Sequence, residues 1–214
     1  MTALQERADR NLQDLQFAGE QASRLRMPGS MPEHHRTALA LLRAAYDDAV
    51  AINMLVLNSS GELAGSAFSL LRPMNDKFKR GSWFLLCGDE ESALDFLKND
   101  NAPKGNLAQQ IEAHPPFDQF RIFSELYQNA FGFFHSFTHG GNQIANGYIA
   151  SNGIGASYPE SKIIQAIDHA QAVGITAVQV MVMLGGEYDS TTGNDILDQL
   201  GARFVPRPAG THTD

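Results

Sequence analysis

The chain has 214 residues, a net charge of −8 and a single cysteine, Cys87. That length suits one domain with its own core. The charge argues against general nucleic-acid binding through a basic face, and one thiol excludes both an internal disulfide and an all-cysteine zinc site.

A reducing, cytoplasmic setting matches this cysteine usage. The polar run from Gln5 to Gln16 does not read as a signal peptide. The longest apolar run, Ile175 to Leu184, is shorter than the roughly 20 residues of a bilayer span, so no membrane association is expected.

Leu4, Ala8, Leu12, Leu15, Ala18, Ala22 and Leu25 recur at three- and four-residue steps and predict a helix over Ala3 to Met27, stopped by Pro28-Gly29. Ser30-Met31-Pro32-Glu33 reads as a capping box, and Ser157-Tyr158-Pro159-Glu160 repeats it. A second helix follows from Glu33 to about Asn58. The turn Asn58-Ser59-Ser60-Gly61 closes it, with another capping box at Ser59 to Glu62.

The third helix is expected over Leu63 to Cys87, kinked or broken at Pro73, with Phe68, Leu71, Met74, Phe78, Trp83 and Leu86 on its core side. Asp89 caps a short helix over Glu90 to Lys98, whose first turn is acidic as the helix dipole favours. Asn99 to Gly105 is a loop, and Leu107 to Ala113 forms one or two helical turns.

Phe117 to Gly141 is the most aromatic stretch of the chain, predicted helical, and ends in His135-Ser136-Phe137-Thr138-His139 before a double glycine. Asn146 to Tyr158 is glycine-rich and reads as an irregular lid or contact loop. The last long helix, Glu160 to Leu184, is apolar on nearly all sides in its second half and should be the most buried, with Gly185-Gly186 ending it. Asn194 to Leu200 forms a short helix, and residues 204–214 a flexible tail. No strand pattern is found. The expected fold is all-α, an up-down bundle of four to five long helices filling residues 1–203 as a single domain.

His135 and His139 are four apart and share a helix face, the spacing of a metal pair if carboxylates join them. The HExxH signature is missing, since Ser136 follows the first histidine. Two cations before a glycine cap also suit a helix C-terminus, so the preferred reading holds no metal and needs no cofactor. In the basic run from Arg72 to Arg80, Lys77, Lys79 and Arg80 read as a solvated face, while Arg72 lies among apolar residues and is expected to pair with Asp47 or Asp48. Asp168 could orient a histidine of the aromatic helix. Catalytic candidates are therefore His135, His139, Arg72 and Asp168; ligand-contact candidates are Trp83, Asn142 and Tyr148. Cys87 has no basic neighbour and is expected to be inert.

Two stretches carry a resemblance: Ala67-Phe68-Ser69-Leu70-Leu71-Arg72-Pro73 with Gly81-Ser82-Trp83, and His135 to Gly141 with Tyr158-Pro159-Glu160. Over Glu33 to Gly186 the chain resembles a group of uncharacterised bacterial all-helical proteins, themselves similar to abortive-infection and HEPN helical domains. Many HEPN domains are metal-independent RNases with an arginine four to six residues before a histidine. Within Glu33 to Gly186 the chain has no such pair. Gln128 stands ahead of His135, and Lys162 ahead of His169. The glycine-rich Asn146–Tyr158 segment and the aromatic excess around Phe131, Phe133 and Phe134, more than one helix face can bury, lead to the expectation of a helical bundle acting by binding or assembly, through a protein partner or self-association as in a dimer, with stress or phage defence as its setting. The alternatives are a nuclease or hydrolase with a His/Arg site and a metal-binding bundle using His135 and His139.

Overall fold

The computed structural model describes residues 1–119, 121–125, 141–150 and 153–204. The chain is all-α, as its apolar spacing predicts. Its elements are α1 (Ala3–Ala22), α2 (Glu33–Ser59), α3 (Ala64–Leu86), α4 (Glu90–Asn99), α5 (Leu107–Ile111), α6 (Asn142–Tyr148), α7 (Glu160–Tyr188) and α8 (Ser190–Phe204). Between α6 and α7 a minimal antiparallel hairpin pairs Ile149 with Ile154 and Ala150 with Gly153, where irregular loop was expected. Of the aromatic stretch, Phe117–Gln119 forms a 3₁₀ turn and 122–125 is helical. Phe123 stacks on Phe78 of α3, with ring centroids 5.0 Å apart.

Contacts fix the directions of the long helices. Asp48 meets Lys77, and Ala38 and Leu42 crowd Gly81, so α2 and α3 are antiparallel. His35 reaches Tyr188 and Asn53 reaches the Ile167 carbonyl, so α2 also opposes α7. Arg7 binds Asp168 while Leu15 abuts Gly174, so α1 runs parallel to α7. Arg203 returns to Asp14, and α8 opposes α1. One continuous apolar core runs from Leu4 to Leu200 through all of these helices.

Several local expectations give way to tertiary contacts. α1 ends at Ala22, a turn early, and begins with a Thr2–Gln5 capping box. Neither Ser30 nor Ser157 caps a helix. The N-cap positions are Pro32 and Pro159, without a side-chain cap. The Glu33 N–H that begins α2 is instead taken by Glu90 of α4 at 2.8 Å, and the Ser157 hydroxyl donates to the Gly147 carbonyl. Ser59 accepts from the Leu63 N–H, not as half of a box with Glu62. By contrast, Asp89 caps α4 with Ser92, as its sequence implies.

Pro73 does not break α3, which is helical from Ala64 to Leu86. Proline removes one N–H from the ladder, and packing of the helix along α2 and α7 outweighs that loss. Beyond Phe78 the buried positions of α3 are Gly81, Ser82 and Phe84, leaving Trp83 and Leu86 half-buried.

Gly185-Gly186 does not terminate α7. A Cβ on Gly185 would lie 2.8 Å from Leu25 Cδ2, and one on Gly193 would lie 2.6 Å from Gly186 Cα. These glycines let the segment after α1, at Leu25 and Met27, and helix α8 approach α7 closely. Continued to Tyr188, α7 is long and apolar enough to cross a membrane, unlike the short run expected from sequence, although 61% of that window is buried within the bundle.

Candidate functional site

α3 and α7 run parallel and in register along one groove. Phe68 and Lys162 line the same cleft at its upper end. Seven residues further along each helix, His169 Nε2 lies 3.1 Å from Asn75 Oδ1. Two turns of helix separate these levels, about 10 Å. Residues three, four and seven apart on a helix share a face. Gly65, Phe68, Ser69, Arg72, Asn75, Asp76 and Lys79 therefore form one stripe of α3, opposite Lys162 and His169.

The upper cleft encloses about 220 Å³. Its walls come from α6, the following loop and the first turn of α7, through Gln143, Asn146, Ser157, Tyr158 and Lys162. Tyr158 is the central ring. Fully buried Phe68 supports it edge-on at 5.0 Å, and Tyr148 does so from another side at 5.8 Å. Glycine makes this packing feasible: a Cβ on Gly147 would fall 2.0 Å from the Tyr158 ring, and one on Gly65 would fall 2.8 Å from Tyr148. Burial pushes the Tyr158 phenol above its ordinary pKa, so it is a neutral hydroxyl at pH 7.

The lower level is ionic. Asp76 lies between two cations, 3.8 Å from Arg72 Nε and 3.8 Å from Lys79 Nζ. The Arg72 side chain is 24% exposed and that of Lys79 only 14%. Burial lowers the Lys79 pKa to about 8 against the opposing attraction of Asp76. Asn75 donates through Nδ2 to the Leu71 carbonyl, which leaves its Oδ1 to accept from His169. This assigns the His169 proton to Nε2. Burial lowers His169 to about 4, so the ring is neutral near pH 7.

The candidates read from sequence separate. Arg72 belongs to this groove, with Asp76 of its own helix as its ion-pair partner; Asp48 pairs with Lys77 and Asp47 with Arg43. Asp168, next to His169, faces α1, where Arg7 binds it at 2.7 and 3.0 Å and Asn11 adds a bond at 3.1 Å. Tyr148 supports the cleft, and Asn142 opens the helix that carries Gln143 and Asn146. Trp83 is elsewhere on α3, donating its indole N–H to Gln110 at 2.6 Å. His135 and His139, with Ser136, Thr138 and the aromatic cluster Phe131, Phe133 and Phe134, lie outside the described residues. Among the described residues no group of three or more His, Cys, Asp or Glu is placed to hold a metal. Burial raises the Cys87 thiol, in keeping with low reactivity.

Lys79 and Lys162 are the groups that sequence reasoning passed over. Lys79 was placed on a solvated face, yet it continues the Phe68–Arg72–Asp76 stripe. Lys162 and His169, seven apart, mark one face of α7 in the same way. That periodic signal was present in the sequence.

No curated protein and no solved structure matches the chain. A family model does match residues 42–196, a span that runs from within α2 into α8 and contains every groove residue named above. The chain belongs to DUF6988, a family of unknown function.

Proposed function

We propose that this chain is a binding protein whose ligand enters the groove between α3 and α7, and that the ligand is anionic. The observation that carries this reading is the positive lining of the groove in a chain of net charge −8. Arg72, Lys79 and Lys162 lie along it, with Asp76 between the first two. Lys79 is held there despite a desolvation cost that lowers its pKa to about 8. Buried cations retained at such a cost are more typical of sites than of solvated faces. The geometry favours binding over hydrolysis, because half-buried His169 is engaged with Asn75 and is a weak base.

Thermal unfolding with added pyrophosphate tests the reading. A ligand that binds only the folded chain raises the midpoint by mass action. Pyrophosphate should raise it above a sodium chloride control of equal ionic strength, and Arg72→Gln together with Lys162→Gln should abolish that rise. Equal midpoints in the two salts would overturn the proposal.

Assembly is a second reading, supported by the hairpin. Ile149 and Ile154 are cross-strand partners, 61% and 83% exposed, within a stretch free of charged residues from Gly140 to Pro159. Exposed apolar pairs of this kind suit a contact surface. Sedimentation of the chain and of Ile149→Ser/Ile154→Ser tests it: a dimer lost in the double variant supports assembly, and a monomer in both refutes it.

A further inference from the structure

Building on the anionic-ligand reading, we infer that the ligand carries a planar heteroaromatic ring, seated against Tyr158 in the upper cleft, with its anionic group toward Lys162 and Arg72. The cleft is small, about 220 Å³, with buried Phe68 among its lining residues, so it suits a compact ring better than an extended acyl chain. Tyr158 is a half-buried ring fixed edge-on by both Phe68 and Tyr148, and a wall of that kind favours stacking over adaptable aliphatic packing. The rim is amide and hydroxyl, from Gln143, Asn146 and Ser157, a polar lining that suits the edge of a heterocycle better than a hydrocarbon; the Ser157 proton goes to the Gly147 carbonyl, so its oxygen serves as an acceptor. Lys162 lines the same cleft, and Arg72 lies one turn of α3 beyond Phe68, about 6 Å along the axis, within the reach of an acid group attached to the ring.

Calorimetric titration of the full chain with three probes tests this: adenosine monophosphate, butyl phosphate and inorganic phosphate. Stacking on one aromatic residue should give the ring-bearing phosphate an advantage of about tenfold or more over the other two. Tyr158→Phe should keep that advantage. Tyr158→Leu should erase it and leave the affinity for inorganic phosphate unchanged, which also shows that the variant is folded.

Three results overturn the inference while leaving the anionic-ligand reading intact: equal affinity for all three probes, butyl phosphate binding as tightly as the ring compound, or an advantage that survives Tyr158→Leu. Failure of every probe to bind, in a chain that unfolds cooperatively, overturns both.

Discussion

Gly174 of α7 faces both α1 and α2 at close range, and adding a single methyl there measures that approach. A Cβ at this position would lie 2.6 Å from Leu15 Cδ2 and 2.8 Å from Ala49 Cβ. Both neighbours are fully buried, and Ala49 has no rotamer through which to withdraw. Ordinary contact needs about 3.5–4 Å, so the helices must part by roughly an ångström, and overpacking of this kind costs about 1–3 kcal/mol. Gly→Ala also favours the helix by about 1 kcal/mol, which would blur a single measurement. Gly201 of α8 supplies the control, since a Cβ there meets nothing within 4 Å. The two substitutions share the propensity gain, so their difference isolates the steric cost. In a chain of this size 1 kcal/mol moves the melting midpoint by about 2–4 °C, which gives a gap of about 2–12 °C with Gly174→Ala the lower. Thermal unfolding followed by far-UV circular dichroism reads it, and Gly201→Ala should melt above the parent chain. Equal midpoints for the two variants would refute the three-helix contact.

Lys79→Met should raise stability by about 1–3 kcal/mol at pH 7 and weaken pyrophosphate binding, since it removes a desolvated charge that serves the groove. Below about pH 8 both folded and unfolded chains carry the Lys79 proton; between about 8 and 10.5 only the unfolded chain does, so parental stability gains with rising pH there and the variant loses that slope. His169 acts in acid. It is neutral in both states above 6.5, and between 6.5 and about 4 the unfolded chain binds its proton first, so stability falls as acid is added, by about 3 kcal/mol in all. Denaturant titrations at pH 7 and pH 4 should show a shallower decline for His169→Gln, and an identical decline would remove His169 as the cause. Asp168→Ala should cost about 1 kcal/mol, in line with a partly exposed ion pair, without changing pyrophosphate affinity; lost affinity would place Asp168 within the site.

Helix existence was legible because apolar spacing is a local property, and α2 begins and ends within a residue or two of where its sequence places it. Helix ends were less so. Ser30 and Ser157 match a capping pattern, but Glu90 and Gly147 compete for the same groups from distant parts of the chain. A glycine pair has two physical meanings, a left-handed cap or a close helix crossing, and only a neighbour such as Gly193 decides between them. The site was half legible. Arg72 stood out through its apolar surroundings, whereas Lys79 looked solvated because sequence gives the face of a helix without saying which other helix covers it. Asp168 and His169 are adjacent in sequence yet serve different helices, a division that the 100° step of an α-helix imposes.

Parallel neighbours have a kinetic corollary. Antiparallel helices such as α2 and α3 can be joined by a tight turn, but the ends of α3 and α7 that must be linked lie a helix length apart, about 34 Å for the 23 residues of α3. The Asn75–His169 contact spans 94 positions. Closing so long a loop is entropically slow until its halves already have surfaces to meet. The α2–α3 hairpin should therefore form early, and the aromatic recess should be among the last regions to acquire its shape during folding.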